Sequence, residues 1–233
     1  MTEISDHPNI AMIGGGTGSF TLLQELKHLT PNISALVNMS DDGGSTGRLR
    51  DELGVLPPGD VRQCLVALSD APEVRDLFGF RFGEGAGEFR GHSLGNIILA
   101  GLELQYGDFA KATKVASRIL GITGQVIPVT LDNHTLAMQD GDETVEGEYV
   151  IGHRKIDARD AHVYHQPAAF MNPEAEEAMQ AANLLVIAPG NLYGSLLPAL
   201  AVTGMKEAFA DSPAKKVMIT SLVTKPGQTD GWQ

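Results

Sequence analysis

Apolar positions along the chain fall into short runs, each followed by a glycine-rich polar stretch and then by helical spacing. Ile10 to Ile13 is such a run; it meets Gly14, Gly15, Gly16, Thr17, Gly18 and Ser19, and Phe20, Leu22, Leu23 and Leu26 follow. That order predicts a strand, a tight turn and a helix opening near Ser19. Ile33 to Met39 predicts a second strand, running into a loop at residues 40–47 that is too polar and glycine-rich to pack. Asp60 is placed to cap a helix reaching about Ser69. A loop of glycine and charge from Gly79 to Gly91 leads to His92 and a strongly apolar helix carrying Ile97, Ile98, Leu99 and Leu102. Asp108 caps the next helix, which stops at Gly121, and Val126 to Val129 predicts another strand.

Residues 134–151 alternate apolar and polar around Asp140-Gly141, a hairpin signal, and His162 to His165 adds a further strand. This excursion, at about 130–168, reads as a small antiparallel ribbon. Asn172-Pro173 then opens a helix to about Ala182, Leu184 to Ala188 predicts a strand buried on both faces, and Lys216 to Val223 predicts the last strand. Strand-loop-helix units at both ends of the chain predict an α/β fold of Rossmann type, mostly parallel, with helices on both faces. Absence of a repeat or linker predicts one domain over residues 1–233. Ligands bind such sheets at the carboxyl ends of the strands. The loops after residues 13, 39, 188 and 223 would share that edge.

At the first loop, glycines admit positive φ and close backbone approach, and the helix start directs free N–H groups and its positive dipole end at one spot. An anion site is expected, most often for phosphate. No lysine follows the last glycine, so this is not a Walker loop. Gly14-x-Gly16 fits the dinucleotide fingerprint, but its third position falls on Ser19. A turn that merely lets the helix pack against its strand is the structural alternative.

Composition narrows the partners. The formal charge is −12 over 233 residues, which argues against nucleic acid. An anionic ligand must therefore be held by local features. The single cysteine, Cys64, excludes an internal disulfide and reads as a buried core residue. No stretch is apolar enough to span a membrane, and the first residues lack the regions of a signal peptide, so the cytoplasm is expected.

Several polar groups could serve a phosphate ligand. Asp41 and Asp42 could hold magnesium, accept bonds from sugar hydroxyls, or form an Asx-turn with local N–H groups. Gly43, Gly44 and Ser45 share their loop. Arg48 and Arg62 suit bidentate phosphate pairing, though Asp51, Glu52 and Asp60 could claim them. His92 beside Ser93 has no nucleophile elbow and no third partner, and Ser93 serves equally as a helix cap. Asn96 faces either ligand or solvent. The other histidines lack metal-ligand spacing with cysteine and read as structural or exposed. Pro189, Gly190 and Asn191 repeat the strand-turn-helix logic, and Tyr193 either stacks on a ligand or plugs the loop.

Six motifs together resemble the CofD-like family. They are Gly-Gly-Gly-Thr-Gly at 14–18, Asp-Asp-Gly-Gly-Ser-Thr-Gly-Arg at 41–48 and Leu-Pro-Pro-Gly-Asp at 56–60, then Gly-His-Ser-Leu-Gly-Asn at 91–96, Pro-Gly-Asn-Leu-Tyr at 189–193 and Pro-Gly-Gln-Thr-Asp at 226–230. The match is nearer to the gluconeogenesis-factor (YvcK) branch. The resemblance implies a Rossmann-like cytoplasmic protein that binds UDP-sugars and serves cell shape and envelope synthesis on gluconeogenic carbon sources. The other branch implies a magnesium-dependent enzyme moving a phospholactyl-type group onto a deazaflavin in coenzyme F420 synthesis. A third reading is an interaction protein with a vestigial pocket. Whether any bond is broken stays open, as does the oligomeric state, a homo-oligomer included. Residues 191 and 194 are Asn and Gly where the family usually has Ser and Thr. Relative to the family, whose members continue through further strands and helices, the chain is short at its C-terminus.

Overall fold

A computed structural model describes residues 7–156 and 161–230. The N-terminal residues read above for a signal peptide, residues 157–160 of the ribbon excursion and the last residues of the chain lie outside them.

Five parallel strands form the central sheet in the order β3-β2-β1-β7-β8. They are β1 (Ile10–Gly14), β2 (Ile33–Val37), β3 (Gln125–Pro128), β7 (Leu184–Ile187) and β8 (Lys215–Met218). β1 lies at the centre, paired with β2 from Ile10↔Ile33 and with β7 from Ile10↔Leu184. Every residue of β1 is buried, so both of its faces are covered, as the continuous apolar run requires. All pairings in this sheet are parallel, so the loops leaving β1, β2, β7 and β8 share one edge, as predicted.

Helices α1 (Gly16–Leu26), α2 (Gly44–Leu53), α3 (Gly59–Leu68), α4 (Pro72–Gly79), α5 (Leu94–Tyr106) and α6 (Phe109–Leu120) follow in the first half. Asp108 accepts from Lys111 N–H at the start of α6, and Gly121 ends it in the left-handed region, both as the sequence predicts. The antiparallel ribbon is β5-β4-β6, with β4 (Thr135–Asp140), β5 (Glu143–Glu146) and β6 (His162–Gln166). It has its own core of Leu136, Met138, Val145, Ile151, Ile156 and Tyr193. The later helices are α7 (Glu148–His153), α8 (Pro173–Gln180), α9 (Leu197–Leu200) and α10 (Met205–Asp211). Asn172 caps α8 by accepting from Glu174 N–H. Cys64 is buried in the main core, as expected.

Five expectations need correction. The first helix opens at Gly16, so Ser19 lies inside its first turns and is buried. The 40–47 stretch does pack: α2 begins at Gly44, with Ser45, Thr46 and Gly47 buried. Their small size allows it, since a Cβ on Gly47 would lie 2.1 Å from the Asp42 carbonyl oxygen. Residues 148–153 form α7 where alternation suggested strand, because Gly147, at φ +96°, turns the chain out of the ribbon. Neither Asp60 nor Ser93 caps its helix with its side chain; both are turned toward other parts of the fold. The last strand ends at Met218; beyond it Leu222 and Val223 are exposed, with no neighbouring strand to extend the ladder.

Candidate functional site

The glycine loop sits where β1 feeds α1. Gly15 is extended at φ −168°, and Gly16 takes φ +66°, a conformation that disfavours any residue with a Cβ. Gly14 and Gly15 are buried, whereas Gly16 and Gly18 are half-buried and Thr17 is exposed, so the turn is open to solvent. A Cβ on Gly18 would lie 1.9 Å from the Pro189 carbonyl oxygen; glycine there lets the first and fourth loops touch. Two buried atoms beside this turn have no hydrogen-bond partner: Ser19 Oγ and Asn38 Oδ1. The Ser19 hydroxyl reaches to Gly14, and Asn38 packs against Gly15.

Asp60 bears on the same turn. Its carboxylate accepts the Gly16 N–H, so one loop amide already has a protein partner. Burial and the neighbouring Asp41 raise its pKa from 3.8 to about 7. An anion at the loop therefore meets a carboxyl group that is readily protonated, and the anion's own charge favours that proton.

The aspartate pair divides its work. Asp41 Oδ1 accepts the Gly43 N–H at 3.0 Å, the Asx-turn alternative, and Thr46 donates to the same carboxylate. Burial is the main cause raising its pKa. Both oxygens of Asp42 are engaged at the start of α7, accepting from Glu148 N at 2.9 Å and Tyr149 N at 2.7 Å. Asp42 thus caps a helix more than a hundred residues away and is not free for a ligand. Magnesium does not fit the Asp41–Asp42 pair as arranged. Among the described residues no group of three or more His, Cys, Asp or Glu could hold a metal ion.

Glu148 was missed from sequence. Burial, then Asp41, Asp42 and Asp60, lift its pKa from 4.5 to about 8. Gly194 makes room for it: a Cβ there would sit 2.5 Å from Glu148 Oε1. Only the meeting of α7 with the Pro189 loop reveals this carboxyl group. Asn38 had a signal, being a polar residue near the end of an otherwise apolar run.

On the far side of α3, a hydrogen-bonded chain joins five predicted residues. Ser45 Oγ accepts from Asn96 Nδ2 at 3.2 Å and from Ser93 N at 3.4 Å. Its own proton therefore goes to His92 Nδ1 at 3.1 Å, leaving Nε2 of His92 as the donor. Asn96 Oδ1 accepts from Arg62 Nε at 2.8 Å, so Asn96 faces neither solvent nor an open pocket. Ser93 Oγ donates to the Phe78 carbonyl. Burial, then Arg48, holds His92 below the usual imidazole range. Arg48 lies on the surface and donates to the Arg90 carbonyl at 2.8 Å. Gly43 is half-buried and Gly44, where α2 begins, is exposed.

In the fourth loop, Asn191 Oδ1 accepts from Tyr193 N at 3.2 Å and Gly194 N at 3.4 Å. Asn191 thus caps the helical turn at Leu192–Leu196. Tyr193 is buried in the ribbon core, so it plugs the loop and does not present a stacking face. Gly190 packs against Ser195 and Leu196.

The loops thus bring Gly14 to Ser19, Asp41, Asp60, Glu148 and Pro189 to one region of the carboxyl edge. Arg62, His92 and Asn96 lie apart, on the α5 side of α3. The remaining histidines are structural or exposed: His134 and His165 stack edge to face, 4.3 Å between centroids.

Comparison with known proteins agrees with the motifs. The family model described as "2-phospho-L-lactate transferase CofD" matches residues 10–233. The gluconeogenesis factor of Bacillus subtilis (strain 168) is 44% identical over 226 residues, 95% of this chain and 70% of that protein. A relative in Nostoc sp. (strain PCC 7120) is 42% identical over 230 residues, 97% of this chain. The chain spans 49% of the Nostoc protein's length. A crystal structure of a Bacillus halodurans protein superposes with a TM-score of 0.91 at 41% identity, over 97% of this chain and 73% of that one. The chain therefore belongs to the CofD family, on its gluconeogenesis-factor branch.

Proposed function

We propose that this chain binds a nucleotide sugar, of the UDP-sugar type, at the carboxyl edge of its parallel sheet, and that occupancy regulates envelope synthesis and cell shape in the cytoplasm during growth on gluconeogenic carbon. One observation carries the reading. Ser19 Oγ and Asn38 Oδ1 are buried without partners beside an open glycine turn. A buried polar atom left unpaired costs about 1–3 kcal/mol; a bound phosphate, ribose or base would supply the missing bonds. Gly15 to Ser19 form the phosphate-facing turn, its amides other than that of Gly16 serving the ligand, Asp41 takes ligand hydroxyls, and Gly190 shapes the opposite wall.

The transferase alternative needs a magnesium ion at Asp41 and Asp42. The engaged oxygens of Asp42 count against it. Calorimetric titration with UDP-N-acetylglucosamine, with and without magnesium, separates the readings. Binding that needs no metal and consumes no ligand is expected. Magnesium-dependent consumption of a guanylyl-phospholactyl donor with a deazaflavin would replace this reading by the enzyme. Absence of heat with every nucleotide tried would leave an interaction protein.

A further inference from the structure

The chain carries 17 Lys and Arg against 29 Asp and Glu. In so acidic a protein, arginines are expected to find carboxylates. Arg90 does, at 2.5 Å from Glu84, and so do Lys27 and Lys114. Arg48, Arg62 and Arg81 do not, and neither do Arg50, Arg75 and Arg118: among the described residues none of these has a carboxylate oxygen within 4.0 Å. The first three nonetheless gather around His92.

Their placement is fixed by neutral acceptors. Arg48 Nη2 donates to the Arg90 carbonyl at 2.8 Å, and Arg81 Nη1 to the next carbonyl, that of Gly91, at 2.7 Å. Arg62 Nε is held by Asn96 Oδ1, and Asn96 through Ser45 by His92. Each guanidinium has five N–H donors and uses few of them in these bonds. Burial is the main cause lowering the pKa of His92 and of Arg62, and the like charges add to it: Arg48 and Arg81 at His92, Arg81 at Arg62. Glu52 opposes this at His92, and Asp60 and Asp41 oppose it at Arg62, none of them as an ion pair within 4.0 Å.

We propose that Arg48, Arg62 and Arg81, with the Nε2–H of His92, form a separate subsite for a phosphate or diphosphate group. The subsite stands on the α5 side of α3. Asp60 faces the glycine loop, and Arg62, two residues later, is turned about 200° around the helix axis. The acidic edge of the glycine loop and the cationic cluster are thus two distinct centres. A dianion accepts several forked guanidinium donors at once and relieves the repulsion among them. The subsite does not require the glycine loop to be filled.

Calorimetric titration with inorganic pyrophosphate tests it, in the parent chain and in Arg81→Gln, Arg81→Lys and Arg90→Gln. Arg90→Gln removes the same charge from the same loop, at a guanidinium already paired with Glu84. Arg81→Gln is expected to weaken pyrophosphate binding about tenfold or more, Arg81→Lys less, and Arg90→Gln by under about twofold. Thermal midpoints verify folding, and if Arg81→Gln does not fold, the comparison of Arg81→Lys with Arg90→Gln decides. Absence of pyrophosphate binding at millimolar concentration, or equal weakening by the charge-matched variants, overturns the proposal. Loss of UDP-N-acetylglucosamine binding with pyrophosphate binding retained would remove the nucleotide-sugar reading and leave this one standing.

Discussion

Glu148 is a half-buried acid facing other acids, and its pKa of about 8 against an ordinary 4.5 has a consequence for stability. The folded state binds this proton more tightly than the unfolded state does. Where the folded chain holds more protons, stability falls as pH rises. The loss therefore accrues from about pH 4.5 to about 8, and Asp60, at about 7, adds to it within the same window. Glu148→Gln keeps the shape of the neutral acid and removes its ionisation. Urea unfolding across this window is expected to show a shallower decline in the variant than in the parent. An identical slope would mean that folding leaves the proton affinity of Glu148 unchanged.

Among the elements, α7 shows how a polar loop becomes structural. The helix is six residues long, too short to stand alone. Its first amides are satisfied by Asp42 from the loop after β2, so the ribbon side of the molecule is tied to the main sheet by one carboxylate. Asp42→Ala is expected to cost about 1–2 kcal/mol, the usual range for a lost cap. In a chain of this size that lowers the thermal midpoint by about 2–8 °C. An unchanged midpoint in calorimetry would show that α7 forms without its cap. The same elements explain why glycine is needed at 18: any side chain there would push the Pro189 loop away from α1.

At the scale of the whole molecule, the sheet is covered unevenly. β1 is buried throughout, whereas all four residues of β8 are exposed, and Leu222 beyond it is fully in solvent. Leu222→Asp removes no packing, so unfolding free energy is expected to change by less than about 0.5 kcal/mol in urea titration. A larger loss would mean that Leu222 is packed in solution. An exposed apolar edge is also a self-association hazard.

Short-range patterns determined much of this protein. Apolar runs at residues 10–13, 33–39 and 184–188 fixed the central strands, because a parallel strand must be apolar on both faces. Glycine at 16 and the cap residues Asp108 and Asn172 fixed local turns, because backbone φ and a side chain two or three residues away decide them. Tertiary structure alone decided which polar groups meet. Asp60 reads as a cap for its own helix, yet it accepts an amide of the first loop. Asp42 reads as a ligand group, yet it caps α7. Glu148 and Arg81 carry no local signal at all. A charged side chain on a loop or helix start can turn toward any neighbour within reach, and that neighbour is supplied by chain tens of residues away. Periodicity specifies which face is apolar; only packing specifies which charge stands beside which.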